Sequence, residues 1–137
     1  MRRLLIDTNV VLDLALEREE HFAASAALLT GIDQKKAKGF ISALSITTIY
    51  YFIKKETGHA DAADYIRNLI KLFSVVSVDK SILEQALTID AKDYEDAVQA
   101  ACALKCKAEY VVTRDREGFK KLSLPSITPA EFLAQYF

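Results

Sequence analysis

The sequence is poor in residues that staple or punctuate a chain: its 137 residues contain two cysteines, two prolines and four glycines. Cys102 and Cys106 lie four apart among alanine and leucine, so they make neither a disulfide framework nor a zinc pattern and read as small buried hydrophobes. Charge of one sign is missing as well. Lysine plus arginine number 18 and aspartate plus glutamate 19, a formal charge of -1. This balance excludes a domain that coats nucleic acid through an overall basic surface and leaves only local patches for such contacts. Long apolar runs are absent: three aliphatic residues precede Asp7, too few for a secretory signal, and no stretch approaches bilayer length. The expectation is a soluble, cytoplasmic protein. No repeat, low-complexity tract or linker is visible, and the lysine-rich DQKKAKG at 33–39 reads as a surface connection. His21 and His59 have no carboxylates arranged around them and are not chosen as catalytic bases.

What is present is apolar material in two alternating periods. Hydrophobic residues make up 51% of a chain close to the commonest domain size, and the expectation is one domain over 1–137. Short β-rich runs at 4–6, 39–43, 73–78, 110–113 and 126–127 alternate with longer stretches of helical period. That alternation predicts an α/β fold built on a mainly parallel sheet of about five strands. The helix at 45–56 carries Ile49, Phe52 and Ile53 on one face and stops at Gly58, and the next has Ala62, Tyr65, Ile66, Leu69 and Ile70 as its core stripe. Asp79 is placed to cap a helix at 82–87, and Asp93 one that runs to about Cys106. Thr128-Pro129-Ala130-Glu131 combines an N-cap, a first-turn proline and a reciprocal glutamate, and predicts a C-terminal helix.

Against this pattern three aspartates stand out by position. Ligands of open parallel sheets gather beyond the carboxyl ends of the strands, and Asp7 ends the first strand while Asp115 follows the strand in EYVVTRD. Asp96 lies in the first turn of the helix leading into that strand, where negative charge is favoured. Each alone has a local reading as a cap or turn residue. Together, however, carboxylates repel unless protons or a cation compensate them, and hard oxygen ligands without histidine or cysteine point to Mg²⁺ or Mn²⁺. Such an ion typically activates water and stabilises charge on a phosphodiester.

Four blocks, LLIDTNVVLD, SALSITTIYYFIKK, DYEDAVQAACA and VVTRDREGF, resemble in order and spacing the PIN-domain family, including the VapC-type toxins of toxin-antitoxin pairs. The resemblance covers nearly the whole chain. It implies a three-layer α/β/α sandwich and metal-dependent RNA cleavage by an acidic cluster, often in homodimers restrained by an antitoxin protein. Carried over residue by residue, it makes Asp7, Asp96 and Asp115 the metal-binding catalytic acids, with Thr8, Asn9 and Thr113 as supporting polar groups. The family usually has one more acid early in the helix after the second strand, where this chain offers Thr48, or else Thr47. A threonine hydroxyl can hold a metal-bound water but brings no negative charge. Glu56 lies eight residues further on, roughly 12 Å along a helix axis, and cannot substitute. Glu95 is adjacent to Asp96 but about 100° round the helix, which makes it an outer candidate.

Asp13 reads as a solvated or locally paired residue on a helix VVLDLALERE, sharing a face with Glu17. Arg114 and Arg116 flank Asp115, Lys120 and Lys121 follow, and Lys54 and Lys55 end the second-block helix; these are the candidates for holding RNA phosphates. Tyr50 and Tyr51 are candidates for base stacking, with one of them expected in the core. The density of Tyr, Phe, Ile and Leu between 49 and 73 suggests a surface covered by a homodimer or an antitoxin helix. Two alternatives remain open: a PIN-like RNA-binding or protein-interaction module weakened by Thr48, and a phosphatase-like domain, disfavoured by Asn9 where a second acid is usual.

Overall fold

Leu4, Leu5 and Ile6 are all fully buried, so the first strand is covered on both faces and reads as a continuous apolar run. The computed structural model describes every residue except Lys121 and Ser123, and Lys121, one of the cations expected near Asp115, therefore lies outside the described residues. Strands β1 (Arg2–Ile6), β2 (Ala37–Ser42), β3 (Ser74–Val76), β4 (Tyr110–Val112) and β5 (Ser126–Ile127) form one sheet in the order β3-β2-β1-β4-β5. All four pairings are parallel. Among the described residues the helices are α1 (Thr8–Ala15), α2 (Glu19–Asp33), α3 (Ala43–Thr57), α4 (His59–Leu72), α5 (Lys80–Ala86), α6 (Tyr94–Lys105) and α7 (Pro129–Tyr136), with a 3-10 turn at Arg116–Phe119.

Strand alternation sorts these helices into two outer layers. Leu4, Ile6, Ile41 and Val112 pack with Val10, Leu28, Ile49, Leu69 and Phe132, which places α1 to α4 and α7 on one face. Leu5, Phe40 and Val111 pack with Ile82, Ala86, Ala101 and Cys102, which places α5 and α6 on the other. The result is the expected three-layer sandwich. Cys102 and Cys106 are buried within the second layer, as their apolar neighbours suggested.

Several local readings change. The segment after Asp7 is not one helix: Glu17 takes a left-handed φ of 49°, the Arg18 amide donates to the Asp13 carbonyl at 3.0 Å, and a second helix starts at Glu19. This closure satisfies the end of α1 and returns the Arg18 side chain towards Asp13. Phe52 and Ile70, expected on core faces, are 37% and 53% exposed because Ile49, Ile53, Ala62 and Leu69 fill the space against the sheet. β3 is shorter than 73–78, since Phe73 still closes α4. Tyr50 packs against the core while Tyr51 is exposed. Gly58, with φ 94°, joins α3 to α4 in a conformation that disfavours other residues. No helix among the described residues is long and apolar enough to cross a membrane.

The capping box of α7 is complete: the Thr128 hydroxyl accepts from the Glu131 amide at 3.1 Å, and Glu131 Oε1 accepts from the Thr128 amide at 3.0 Å. The helix holds Phe132, fully buried, against β4. Thr128→Ala should therefore lower the unfolding free energy by about 1 kcal/mol in a urea titration. An unchanged midpoint would mean that core packing alone sets the start of α7.

Candidate functional site

The strand order reverses at β1, which has β2 on one side and β4 on the other, so the crevice beyond the carboxyl ends of β1 and β4 is the natural place for a ligand. The register Ile6 to Val112 brings Asp7 beside Thr113. Asp7 occupies the N-cap position of α1, yet its side chain makes no capping bond. Instead Oδ2 accepts from Thr113 Oγ1 at 2.8 Å and Oδ1 from Gln99 Nε2 at 2.5 Å. Burial pushes the Asp7 carboxyl up, and the hydrogen bonds from Thr113 and Gln99 pull against that shift.

Gln99 fixes which face of α6 looks at β1. Asp96 is three residues before it and Glu95 four, so both share that face. The helix begins there because Asp93 Oδ1 accepts from the Asp96 amide at 2.8 Å. Asp7, Asn9, Thr48, Lys92, Asp93, Glu95, Asp96, Gln99 and Asp115 line one cleft of about 250 Å³. Partial burial and then the charges of Asp93, Asp7, Asp115 and Glu95 push the Asp96 carboxyl up to about 7. Glu95 is raised by burial and by Asp93 and Asp7. Opposing this charge, Lys92 Nζ pairs with Asp115 Oδ2 at 3.3 Å. Gly118 of the 3-10 turn lies against Asp96, where a Cβ would fall 2.7 Å from Asp96 Oδ2.

Of the residues singled out in the sequence, Asp7, Thr8, Asn9, Thr48, Asp96 and Asp115 line this cleft, and Thr113 lies buried beneath Asp7. Thr8 Oγ1 donates to Ser45 Oγ at 2.7 Å and ties the start of α1 to that of α3, whose next turn delivers Thr48. Thr47 and Glu56 do not line it. Thr48 Oγ1 donates to the Leu44 carbonyl at 3.2 Å, so its hydroxyl proton stays on its own helix.

The expected phosphate-holding arginines are engaged elsewhere. Arg114 pairs with Asp13 at 3.2 Å and Arg116 with Glu131 at 3.2 Å. Lys54 lies over the Tyr50 ring, and neither it nor Lys55 lines the cleft. Lys120 sits 4.0 Å from Glu117. Asp13 is not solvated: it is 1% exposed, paired locally with Arg18 and across the fold with Arg114. His21 and His59 are both away from the cleft, His59 bonded to the Tyr50 hydroxyl.

Sequence reasoning missed Gln99 and Lys92, and Glu95, expected as an outer candidate, lines the cleft as well. The available signal for Gln99 was a lone polar residue inside the apolar run AVQAACA. Lys92 belongs to a loop whose proximity to Asp115 only the fold reveals. As the side chains stand, no three acidic, histidine or cysteine groups among the described residues are close enough to hold a metal ion. The donor chemistry nonetheless fits a hard cation: the cleft offers the Asp96 and Glu95 carboxyls, raised first by burial and then by their neighbours' charges, and a buried Gln99 Oε1 has no hydrogen-bond partner.

Comparisons with known proteins agree with this architecture. Ribonuclease VapC1 of Aquifex aeolicus (strain VF5) is 23% identical over 139 residues, covering 98% of this chain and 95% of that protein. A DNA-bound VapBC structure from Salmonella typhimurium superposes with a TM-score of 0.69 at 16% identity, over 94% of this chain and 99% of that one. Mycobacterium tuberculosis VapC20, a toxin that cleaves the sarcin-ricin loop, gives 0.69 at 18% identity over 92% and 99%. The PIN domain family model matches residues 3–117, and the chain belongs to the PIN-domain family.

Proposed function

We propose that the chain is a divalent-metal-dependent endoribonuclease and the toxin of a toxin-antitoxin pair. The observation that carries this reading is the delivery of Asp7, Asp96 and Asp115 from three different elements to one cleft at the switch point of the sheet. Asp7, Asp96 and Asp115 would hold Mg²⁺ or Mn²⁺. When bound, the ion supplies Lewis-acid stabilisation of charge on the phosphodiester and lowers the pKa of water. Asp7 is held in orientation by Thr113 and Gln99, and Asn9 and Thr48 are neutral polar groups of the wall suited to orienting water. Lys92 is the lysine or arginine that lines the cleft among the described residues, and it replaces Arg114 and Arg116 as the group to meet an RNA phosphate.

The same reading includes protein partners. Structures similar to this chain include VapBC and toxin-antitoxin complexes, which supports an antitoxin as the partner here. Exposed Leu44, Tyr51 and Ile70 on α3 and α4 support a homodimer. A second reading, a metal-poor RNA-binding module, is favoured by Thr48 alone.

In a cleavage assay with Mn²⁺, Asp7→Asn should reduce the rate by about 100-fold or more, since a ligand and the centre of its hydrogen-bond network are both altered; equal rates would place the activity outside this cleft. The metal-free protein should also show a pH signature. Because folding raises the Asp96 carboxyl from its ordinary 3.8 to about 7, the folded state retains a proton through that window and the group lowers stability as pH rises through it. Asp96→Asn should then melt above the natural protein at pH 8 in EDTA and lose that advantage near pH 4. A gain independent of pH would contradict the electrostatic cause. Light scattering should give a dimer at micromolar concentration, and a strict monomer would count against the homodimer.

A further inference from the structure

We propose that Glu95 supplies the carboxylate that position 48 lacks, so that the cleft's fourth acid comes from α6 instead of α3. The inference rests on the metal-dependent reading above and adds a ligand to it.

Helix geometry comes first. Gln99 Nε2 is fixed on Asp7 Oδ1, and Glu95, one turn earlier, is carried by the same face to the mouth of the cleft. The rotation of about 100° from Asp96 does not take Glu95 away, because the direction towards Asp7 is set by Gln99, which lies close to both residues on the helical wheel. Asp93, which lines the same cleft, has its Oδ1 committed to capping α6 through the Asp96 amide. The Glu95 side chain has no hydrogen bond or ion pair among the described residues, and its three torsions give it reach.

A second observation points independently to a ligand. Gln99 is 2% exposed, its Oε1 is buried without a partner, and the residue lines the same cleft. A buried amide oxygen left unbonded is costly, and here its nitrogen is already oriented by Asp7. A water held by a cation would satisfy that oxygen. Thr48, on the α3 wall, contributes no charge, so Glu95 brings the carboxylates offered with Asp7, Asp96 and Asp115 to four, and the added negative charge tightens the hold on a hard divalent ion.

The test is Mn²⁺ binding followed by the electron paramagnetic resonance of the free ion, independent of any cleavage. Glu95→Gln should weaken Mn²⁺ binding by about tenfold or more, with melting in EDTA showing that the variant is folded. Glu56→Gln should bind as the natural chain does. Adding Thr48→Glu to the Glu95→Gln chain should recover the lost affinity, since the carboxylate returns from the opposite wall. Unchanged binding by Glu95→Gln overturns the proposal while the metal-dependent reading stands, and loss that Thr48→Glu does not recover overturns the claim of equivalence. If the natural chain itself binds no Mn²⁺, the metal-dependent reading fails and this inference with it.

Discussion

The arrangement depends on one buried carboxylate. Asp7 ends a strand with no exposed side in its last three residues, so it emerges into the cleft already mostly removed from water. An unpartnered charge there would be strongly unfavourable, and the bonds from Thr113 and Gln99 offset that cost. The same two bonds have a structural consequence. They join the carboxyl ends of β1 and β4 to the first turns of α6, and so decide which face of that helix meets the site.

The acids around Asp7 are in tension with one another. Asp96 is pushed up to about 7 by burial and by its neighbours' charges, while Lys92 holds Asp115 from the other side. Gly118 lets the 3-10 turn approach Asp96 closely, where a Cβ would press on its Oδ2. A cleft built this way is under-compensated, which is the condition in which a divalent cation gains most from binding. Stability has been given up locally for a site, and the remainder of the fold, with both faces of the sheet covered, tolerates that loss.

Much of this was legible in the sequence because period and punctuation are local. Asp7 and Asp115 announced themselves by terminating apolar runs, and Asp79, Asp93 and Thr128 cap the helices where the sequence placed them. What could not be read was set by contacts between distant segments. Asp13 and Arg114 are a hundred residues apart, and their pairing removed an arginine from the expected RNA surface and a carboxylate from solvent. Lys92 acquired its place only when the loop before α6 met the turn after β4. That Glu95 lines the cleft was not legible for a different reason: the direction towards Asp7 is set by Gln99, one turn later on α6, and not by Asp96.

On this reading Asp7, Asp96 and Asp115 form one cation site in the cleft between β1, β4 and α6. A crystal grown with Mn²⁺ and measured for anomalous scattering tests it most directly. A peak is expected in that cleft, bounded by oxygens of Asp7, Asp96 and Asp115 at about 2.0–2.2 Å, close to the range of a small hard divalent ion such as Mg²⁺. A fully formed cleft without a peak, or Mn²⁺ bound only elsewhere on the molecule, would contradict it.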